Sequence, residues 1–247
     1  MTKSKRLITL ILSVVMCLSL GIIKVSANSE AYKEFTTPQQ ARDWGKQHYS
    51  IYLFSEAQKK AFNAYSKNSS PYNKQLRNGV SLSDLSKEEQ DRIAVLDHAL
   101  SYAIIPENII VYRYANTDFL RRLGYSQEEI TEHVYNYQTH KLNTQAADYL
   151  NQTKIVGRID TDPGFLSTTL VKGTVFTHRP IELRIRVRRL VMGTYISLPG
   201  IGFFNQELEV LFPRQRQLQV LSVRMEANKL RIEVQMLGPY YAKNPPA

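Results

Sequence analysis

Capping residues and apolar residues at helical spacing mark the first half of the chain. Ser55, Ser86 and Ser126 are each followed three residues later by Gln or Glu, the capping-box pattern that opens a helix. Thr37 precedes a proline, which is favoured at the first helical position. The polar stretch Ser66–Ser81 lacks such a pattern. The sequence therefore predicts a helix after each of the four caps and a loop over residues 66–81.

The second half of the chain alternates apolar and polar residues, as strands do. Between Ile181 and Val187 every second residue is apolar and the others are charged, the pattern of a half-buried strand. A turn is expected at Asp160–Pro163 and a short helix near Asp118–Leu123. Helices followed by strands predict an α+β fold with antiparallel sheets, and no glycine-rich dinucleotide fingerprint follows a predicted strand. The other predicted strands are Ile109–Tyr114, Gly164–Leu170, Tyr195–Leu198, Glu207–Phe212, Gln217–Met225 and Leu230–Leu237.

Residues 1–27 have the pattern of a secretory signal peptide. A charged region around Lys3 precedes the apolar run Leu7–Ile23, and Val25-Ser26-Ala27 is a small-residue cleavage site. A membrane anchor is the alternative, because the apolar run is close to the lower limit for spanning a bilayer. Residues 28–247 then form one exported domain of 220 residues.

The chain is basic, with a formal charge of +10, of which residues 1–27 contribute +4. The remaining +6 suits an anionic ligand or an acidic partner surface. The arginines between 184 and 189 are interpreted as a solvated strand face, because they lack the interleaved aromatics of a nucleic-acid site. The sole cysteine is Cys17, and the five histidines do not cluster at metal spacing. Neither a disulfide nor a metal ion is therefore expected in the mature chain.

Two carboxylates stand close together in the segment Leu198–Pro213, after a turn rich in glycine and aromatic residues. If this part of the segment is a strand, Glu207 and Glu209 share one face, whereas Gln206 points to the other. Adjacent carboxylates raise each other's pKa, and they suit chemistry that develops positive charge. The alternative is the solvent-facing side of an ordinary edge strand.

Four short passages occur in one order along the chain and resemble a known family. They end at Arg113, Thr169, Arg184 and Arg214 and read Val-Tyr-Arg, Gly-Phe-Leu-Ser-Thr-Thr, Arg-Pro-Ile-Glu-Leu-Arg and Glu-Val-Leu-Phe-Pro-Arg. Each passage is weak alone, but together they resemble the bacterial mono-ADP-ribosyltransferase toxins. The resemblance is strongest to the small single-domain exoenzymes that modify Rho GTPases, and it covers nearly all of residues 28–247.

The resemblance implies an ADP-ribosyltransferase fold, in which N-terminal helices pack on two antiparallel β-sheets that form a sandwich. It implies NAD as the substrate that donates ADP-ribose and a host protein as the acceptor. The reaction is expected to take place in the host cytosol. We expect a secreted monomer with no metal, no nucleic-acid partner and no stable membrane anchor.

The resemblance also assigns roles to single residues. Glu209 matches the catalytic glutamate, which stabilises positive charge on the ribose as nicotinamide leaves. Ser167 matches the serine that orients this glutamate. Arg113 matches an arginine on the NAD phosphates, where its planar fork suits two oxygens. The other expected NAD contacts are Phe176 and Arg179 in a covering loop, Thr168 and Thr169 beside Ser167, and Asn73 and Arg77 in an N-terminal loop.

Position 207 departs from the Rho-modifying members, which carry Gln-x-Glu and modify asparagine. Glu207 gives Glu-x-Glu, as in the actin-modifying toxins, which modify arginine; a carboxylate can pair with a guanidinium and help to remove its proton. The sequence therefore predicts an arginine acceptor, on a protein such as actin, recognised by the catalytic Glu207 and by Phe204. The alternatives are asparagine modification of a Rho-family GTPase, NAD glycohydrolysis alone, and a non-enzymatic basic binding module.

Overall fold

The computed structural model describes residues 31–238; the predicted leader and the C-terminal tail from residue 243 lie outside this range. Short 3₁₀ helices occur at Ile51–Leu53, Leu82–Asp84 and Asn205–Glu207. The α-helices of this range are α1 (Pro38–His48), α2 (Glu56–Lys67), α3 (Ser70–Arg77), α4 (Lys87–Ser101), α5 (Asp118–Arg122), α6 (Gln127–His133) and α7 (Ala146–Gln152).

Capping contacts confirm the four predicted helix starts. Ser55, Ser86 and Ser126 each accept the backbone N–H three residues on, and the side chain of that later residue accepts the N–H of the cap. Thr37 accepts the N–H of a residue in the first turn of α1. Each such cap contributes about 1 kcal/mol. The loop predicted over residues 66–81 is wrong, because the middle half of it, Ser70–Arg77, is helix α3.

The strands form one large sheet and one small hairpin. The strands are β1 (Ile109–Ala115), β2 (Tyr135–Asn136), β3 (Lys141–Leu142), β4 (Ile159–Asp162), β5 (Leu166–Thr169), β6 (Ile181–Val187), β7 (Thr194–Tyr195), β8 (Glu209–Phe212), β9 (Arg216–Glu226) and β10 (Lys229–Met236). The large sheet has the order β4-β9-β10-β6-β1-β5-β8-β7, and its pairings are antiparallel except for β6 with β10. β4 occupies most of the predicted turn at residues 160–163.

The large sheet must fold back on itself. β4 and β5 lie five places apart in the strand order, which is roughly 24 Å in a flat sheet. The connection from Asp162 to Leu166 can span only about 14 Å. Accordingly, Asp162 of β4 lies 3.8 Å from Arg113 of β1, four places away in the order. The expected α+β class is therefore confirmed, with the two layers joined by one continuous hydrogen-bonded ladder.

One hydrophobic core contains residues of the helices and of the large sheet. Phe62 of α2 and Ile93 of α4 belong to the same buried cluster as Val111, Leu183 and Val210 of the strands. Helix α2 packs on both α3 and α4, so the residues at its carboxyl end are held at a fixed place beside the sheet. Within residues 31–238, the helices are too short or too polar to cross a membrane.

Candidate active site

A narrow cleft opens where β1 and β5 face α2 and α3. Its volume is about 110 Å³, which is below the roughly 300–1,000 Å³ of a typical ligand pocket. The structure brings to this cleft every residue that the sequence assigned to NAD, namely Asn73, Arg77, Arg113, Thr168, Thr169, Phe176 and Arg179, together with Ser167.

Glu209, the first residue of β8, is buried with 3% of its surface exposed. Loss of hydration raises the pKa of this carboxyl to about 7, and the nearby charge of Glu207 contributes to the rise. Hydrogen bonds to Ser167 and Ser66 and the charge of Arg113 oppose it by favouring the ionised form. Glu209 is therefore divided between neutral and ionised forms near pH 7. The role of Ser167 in orienting this carboxyl stays a prediction.

Three hydroxyl groups fix the backbone around Glu209. The Ser197 hydroxyl accepts the Glu209 N–H at 2.7 Å and donates to the Phe204 carbonyl at 3.4 Å, so it joins the two ends of one turn. The threonines of β5 use their hydroxyls on the same segment, so they support the start of β8. Thr168 donates to the carbonyl of Val210 and Thr169 to that of Glu207, each at 2.8 Å.

Two guanidinium groups of the cleft lie beside one buried carboxylate, Asp162. Arg77 donates to both of its oxygens, at 2.9 and 3.0 Å, and Arg113 lies 3.8 Å away. Burial alone would raise the pKa of Asp162, but Arg113 and Arg77 outweigh burial and hold it below its usual value. Burial lowers the pKa of Arg113 to about 10, so this group stays charged at neutral pH. Arg179 also lines the cleft. The three guanidinium charges less the one carboxylate charge of Asp162 leave two positive charges, which match a diphosphate.

Asn73 is buried, and its amide holds the start of β5. Its Oδ1 accepts the Phe165 N–H at 2.8 Å, and its Nδ2 donates to the Tyr65 hydroxyl at 3.0 Å. Arg77 adds a bond of 2.9 Å to the Phe165 carbonyl. This support of β5 is direct, whereas the contact of Asn73 with NAD stays a prediction.

The loop over residues 172–180 covers the cleft. The Arg179 guanidinium lies 4.3 Å from the centre of the Phe176 ring and donates to the Tyr114 carbonyl at 3.0 Å. Lys229 of β10 donates to the Arg179 carbonyl at 2.7 Å. Phe176 has a left-handed φ of 54° and is 49% exposed. The loop therefore presents one cation and one aromatic ring at the mouth of the cleft.

Glu207 does not lie on a strand, so the prediction that it shares a strand face with Glu209 is wrong. It ends the 3₁₀ helix Asn205–Glu207, and Leu208 then adopts a left-handed φ of 54° with its side chain fully buried. The period of two therefore does not relate positions 206, 207 and 209. Gln206 is exposed, while Glu207 is half-buried and its pKa is raised by that burial. Glu207 lies close enough to Glu209 for its charge to contribute to the raised pKa of the Glu209 carboxyl.

Two aromatic residues form the tip of the preceding turn. The rings of Phe203 and Phe204 meet edge to face at 4.7 Å, and Phe203 is 46% exposed. The Lys67 ammonium lies 5.3 Å from the centre of the Phe203 ring. The tip therefore offers an apolar surface beside a positive charge, which suits contact with another protein.

Comparison with known proteins identifies the family. Residues 41–238 match the model of the ADP-ribosyltransferase exoenzyme family. The chain belongs to this family. The resemblance inferred from the four short passages is thereby confirmed.

Several relatives are similar in sequence to this chain along most of its length. The epidermal cell differentiation inhibitor of Staphylococcus aureus is 31% identical over 243 residues, covering 93% of this chain and 96% of that protein. The mono-ADP-ribosyltransferase C3 of Hathewaya limosa is 27% identical over 224 residues, covering 87% and 82%. The crystal structure of C3stau2 from S. aureus with NAD superimposes with a TM-score of 0.74 at 29% identity, covering 84% and 99%.

The sequence alone does not indicate three residues around Glu209 and the cleft. It predicts Asp162 in a turn, Ser66 at the edge of a loop and Ser197 in a strand, with no role for any of them. The Asp-Pro-Gly sequence after β4 signals only a tight turn, and a single serine has no local signature. These three residues contact residues that are distant in the sequence, so only the tertiary structure shows the contacts.

Gly164→Ala is expected to destabilise the exoenzyme by ~1–3 kcal/mol and to weaken NAD binding. A Cβ at this position would lie 2.6 Å from Asn73 Oδ1 and 3.1 Å from Arg77 Nε, so both side chains would have to shift. Urea unfolding and the KM for NAD would measure the two effects. Gly238→Ala is the matched control, because its Cβ would meet nothing within 4 Å. Equal behaviour of the two variants would contradict the packing role of Gly164.

Proposed function

We propose that this exoenzyme transfers ADP-ribose from NAD to an asparagine of a Rho-family GTPase in a host cell. The observation that carries the proposal is the buried carboxyl of Glu209, bonded to Ser167 beside a cleft with three arginines. Family membership and the S. aureus structure with NAD support NAD as the donor. Side reaction with water would give NAD glycohydrolase activity.

Each group of the site has a part in this reaction. Arg77, Arg113 and Arg179 hold the diphosphate and so fix the ribose above Glu209. As the bond from ribose to nicotinamide breaks, nicotinamide leaves with the electron pair, and the Glu209 carboxylate stabilises the positive charge that develops on the ribose. The acceptor nitrogen then bonds to the ribose carbon and loses a proton. Ser167 keeps the carboxylate oriented throughout.

The dinucleotide needs more room than the narrow cleft provides. A second depression of about 860 Å³ adjoins it, and Arg77 borders both. Arg121 and Tyr125 line this second space. We propose that NAD extends past Arg77 into this depression, and that the loop over residues 172–180 moves outward to admit the nicotinamide end.

An asparagine acceptor fits the comparisons better than the arginine acceptor that Glu-x-Glu spacing predicts. The S. aureus and H. limosa relatives match along most of their length, and this branch is the one that the sequence resembles. The arginine prediction also assumed a strand at Glu207, which the structure does not have. We assign recognition of the acceptor amide to the exposed Gln206, with Phe204 beside it, because an amide offers both a donor and an acceptor to another amide.

The linkage to the acceptor can be tested directly. Labelled NAD and the purified exoenzyme are added to host lysate, and the modified residue is identified by mass spectrometry. We expect label on a Rho-family GTPase that resists neutral hydroxylamine, because an asparagine linkage is stable to it and an arginine linkage is labile. A hydroxylamine-labile product on another protein such as actin would contradict the acceptor. NAD hydrolysis with no labelled protein would favour glycohydrolase activity alone.

A further inference from the structure

Lys229 connects the tip of the β9–β10 hairpin to the loop over residues 172–180. The two strands are joined by a two-residue turn in which Ala227 and Asn228 both have a left-handed φ, of 47° and 60°. Such turns match the twist of the flanking strands, and Lys229 pairs with Glu226 directly across the turn. The side chain of Lys229 therefore starts from a backbone position that the hairpin fixes.

The ammonium group of Lys229 bonds to the backbone of this loop. Its Nζ donates to the carbonyl of Thr177 and, at 2.7 Å, to that of Arg179. The N–H of Leu230 continues the contact by donating to the Pro180 carbonyl at 3.0 Å. Hydrogen bonds from a charged donor are roughly twice as strong as neutral ones. The hairpin therefore holds the end of the loop through three of its backbone carbonyls.

These contacts determine where Arg179 stands above the cleft. Lys229 holds its carbonyl, and its guanidinium donates to the Tyr114 carbonyl at 3.0 Å. Arg179 lines the cleft, whereas Lys229 is not among the lining residues. Lys229 therefore influences a ligand in the cleft through Arg179 and not by direct contact.

The other end of the loop has an anchor of its own. The Thr174 hydroxyl is hydrogen-bonded to that of Thr169 in β5 at 2.8 Å. Val175 and Phe176 are the two residues between this anchor and the carbonyls that Lys229 holds. The outward movement proposed for the loop then needs only these two residues to move, and the arginine of the loop stays in place.

We propose that Lys229 is a positioning residue that holds Arg179 ready for the diphosphate of NAD, an inference that rests on the proposed function. An arginine that is already ordered loses less conformational freedom when the ligand binds. The effect of Lys229 is therefore expected in the affinity for NAD and not in the cleavage step, where Glu209 acts.

Lys229→Met tests the contact with the loop, because it keeps the length of the side chain and removes its three donors. Lys229→Arg keeps a charged donor, and Lys87→Met, at an exposed surface pair on α4, is the control. Hydrogen exchange of the enzyme without NAD, measured by mass spectrometry, reports on residues 172–180. We expect about tenfold faster exchange of this loop in Lys229→Met and rates close to wild type in the other two variants. Peptides from β1 and β8 should exchange at wild-type rates in all three, which shows that the fold is kept.

The kinetics of NAD hydrolysis test whether Lys229 acts through Arg179. We expect the KM for NAD to rise about tenfold in Lys229→Met, with kcat within about twofold of wild type, and to return towards wild type in Lys229→Arg. In an Arg179→Ala background, Lys229→Met should change the KM by less than about twofold, because the side chain that it positions is then absent.

Wild-type exchange of the loop in Lys229→Met would overturn the contact. Independent effects of Lys229→Met and Arg179→Ala on the KM would overturn the positioning of Arg179. A wild-type enzyme that neither binds nor hydrolyses NAD would instead contradict the proposed function, and the exchange rates would still decide whether Lys229 holds the loop.

Discussion

Glu209→Gln is expected to lower NAD hydrolysis and ADP-ribose transfer together, by roughly 10²–10⁴-fold. The variant keeps the size of the side chain but removes the negative charge that stabilises the ribose as nicotinamide leaves. Both activities begin with this bond cleavage, so both should fall by the same factor. Release of nicotinamide, measured with and without the acceptor protein, gives the two rates.

The control for this variant is Glu88→Gln, which removes an exposed carboxylate that pairs with Arg92 on α4. It should leave both activities within about twofold of wild type, because a surface ion pair contributes only ~0–1 kcal/mol. If Glu209→Gln kept hydrolysis within tenfold of wild type, Glu209 would not be the catalytic carboxylate.

The loss of activity in Glu209→Gln should come with a gain in stability at alkaline pH. The folded pKa of Glu209 is about 7, above its usual 4.5. Below pH 4.5 the carboxyl is neutral in both folded and unfolded chains and costs nothing. Between pH 4.5 and 7 the carboxyl ionises in the unfolded chain but stays neutral in the folded one, so the free energy of unfolding falls by about 3 kcal/mol, and above pH 7 this loss stays constant. Urea unfolding should therefore show a difference that is small near pH 4.5 and largest above pH 8.

Local sequence signals account for the helix starts and the fold class. Each capping box is a contact between residues three apart, so its geometry needs no tertiary information. The helix Ser70–Arg77 also has sequence signals that could predict it. Pro71 stands in its first turn, and Gly79, whose φ is +85°, follows its end. The polar composition of Ser66–Ser81 hid these two signals, since only one face of that helix is buried.

The geometry around the start of β8 could not be derived from the sequence. A left-handed conformation is rare for leucine, and Leu208 adopts it only because its side chain is fully buried and both neighbours are held. Thr169 fixes the carbonyl of Glu207, and Ser197 fixes the N–H of Glu209. These bonds come from two other parts of the chain. The prediction of a regular strand is therefore wrong here, because tertiary contacts override local preference.

This change in geometry decides which side chain can meet the acceptor. With a regular strand, Gln206 would point away from Glu209; with the 3₁₀ turn and Leu208 in the left-handed region, it is exposed beside Glu207. Gln206→Ala is therefore expected to lower transfer to a Rho-family GTPase by roughly 10–100-fold, the effect of losing hydrogen bonds worth ~1–3 kcal/mol. NAD hydrolysis should stay within about twofold, because Gln206 is not among the residues that line the cleft.

Glu207→Gln is the matched variant that separates the two acceptors. If the acceptor is asparagine, an added amide next to Gln206 leaves transfer within about threefold of wild type. If the acceptor is arginine, the Glu207 carboxylate is needed to pair with the guanidinium, and transfer is lost while hydrolysis remains. Transfer rates of both variants, measured with one acceptor protein, therefore give opposite patterns. Loss in Glu207→Gln together with full activity in Gln206→Ala would contradict the asparagine assignment, because only a carboxylate at position 207 would then be required.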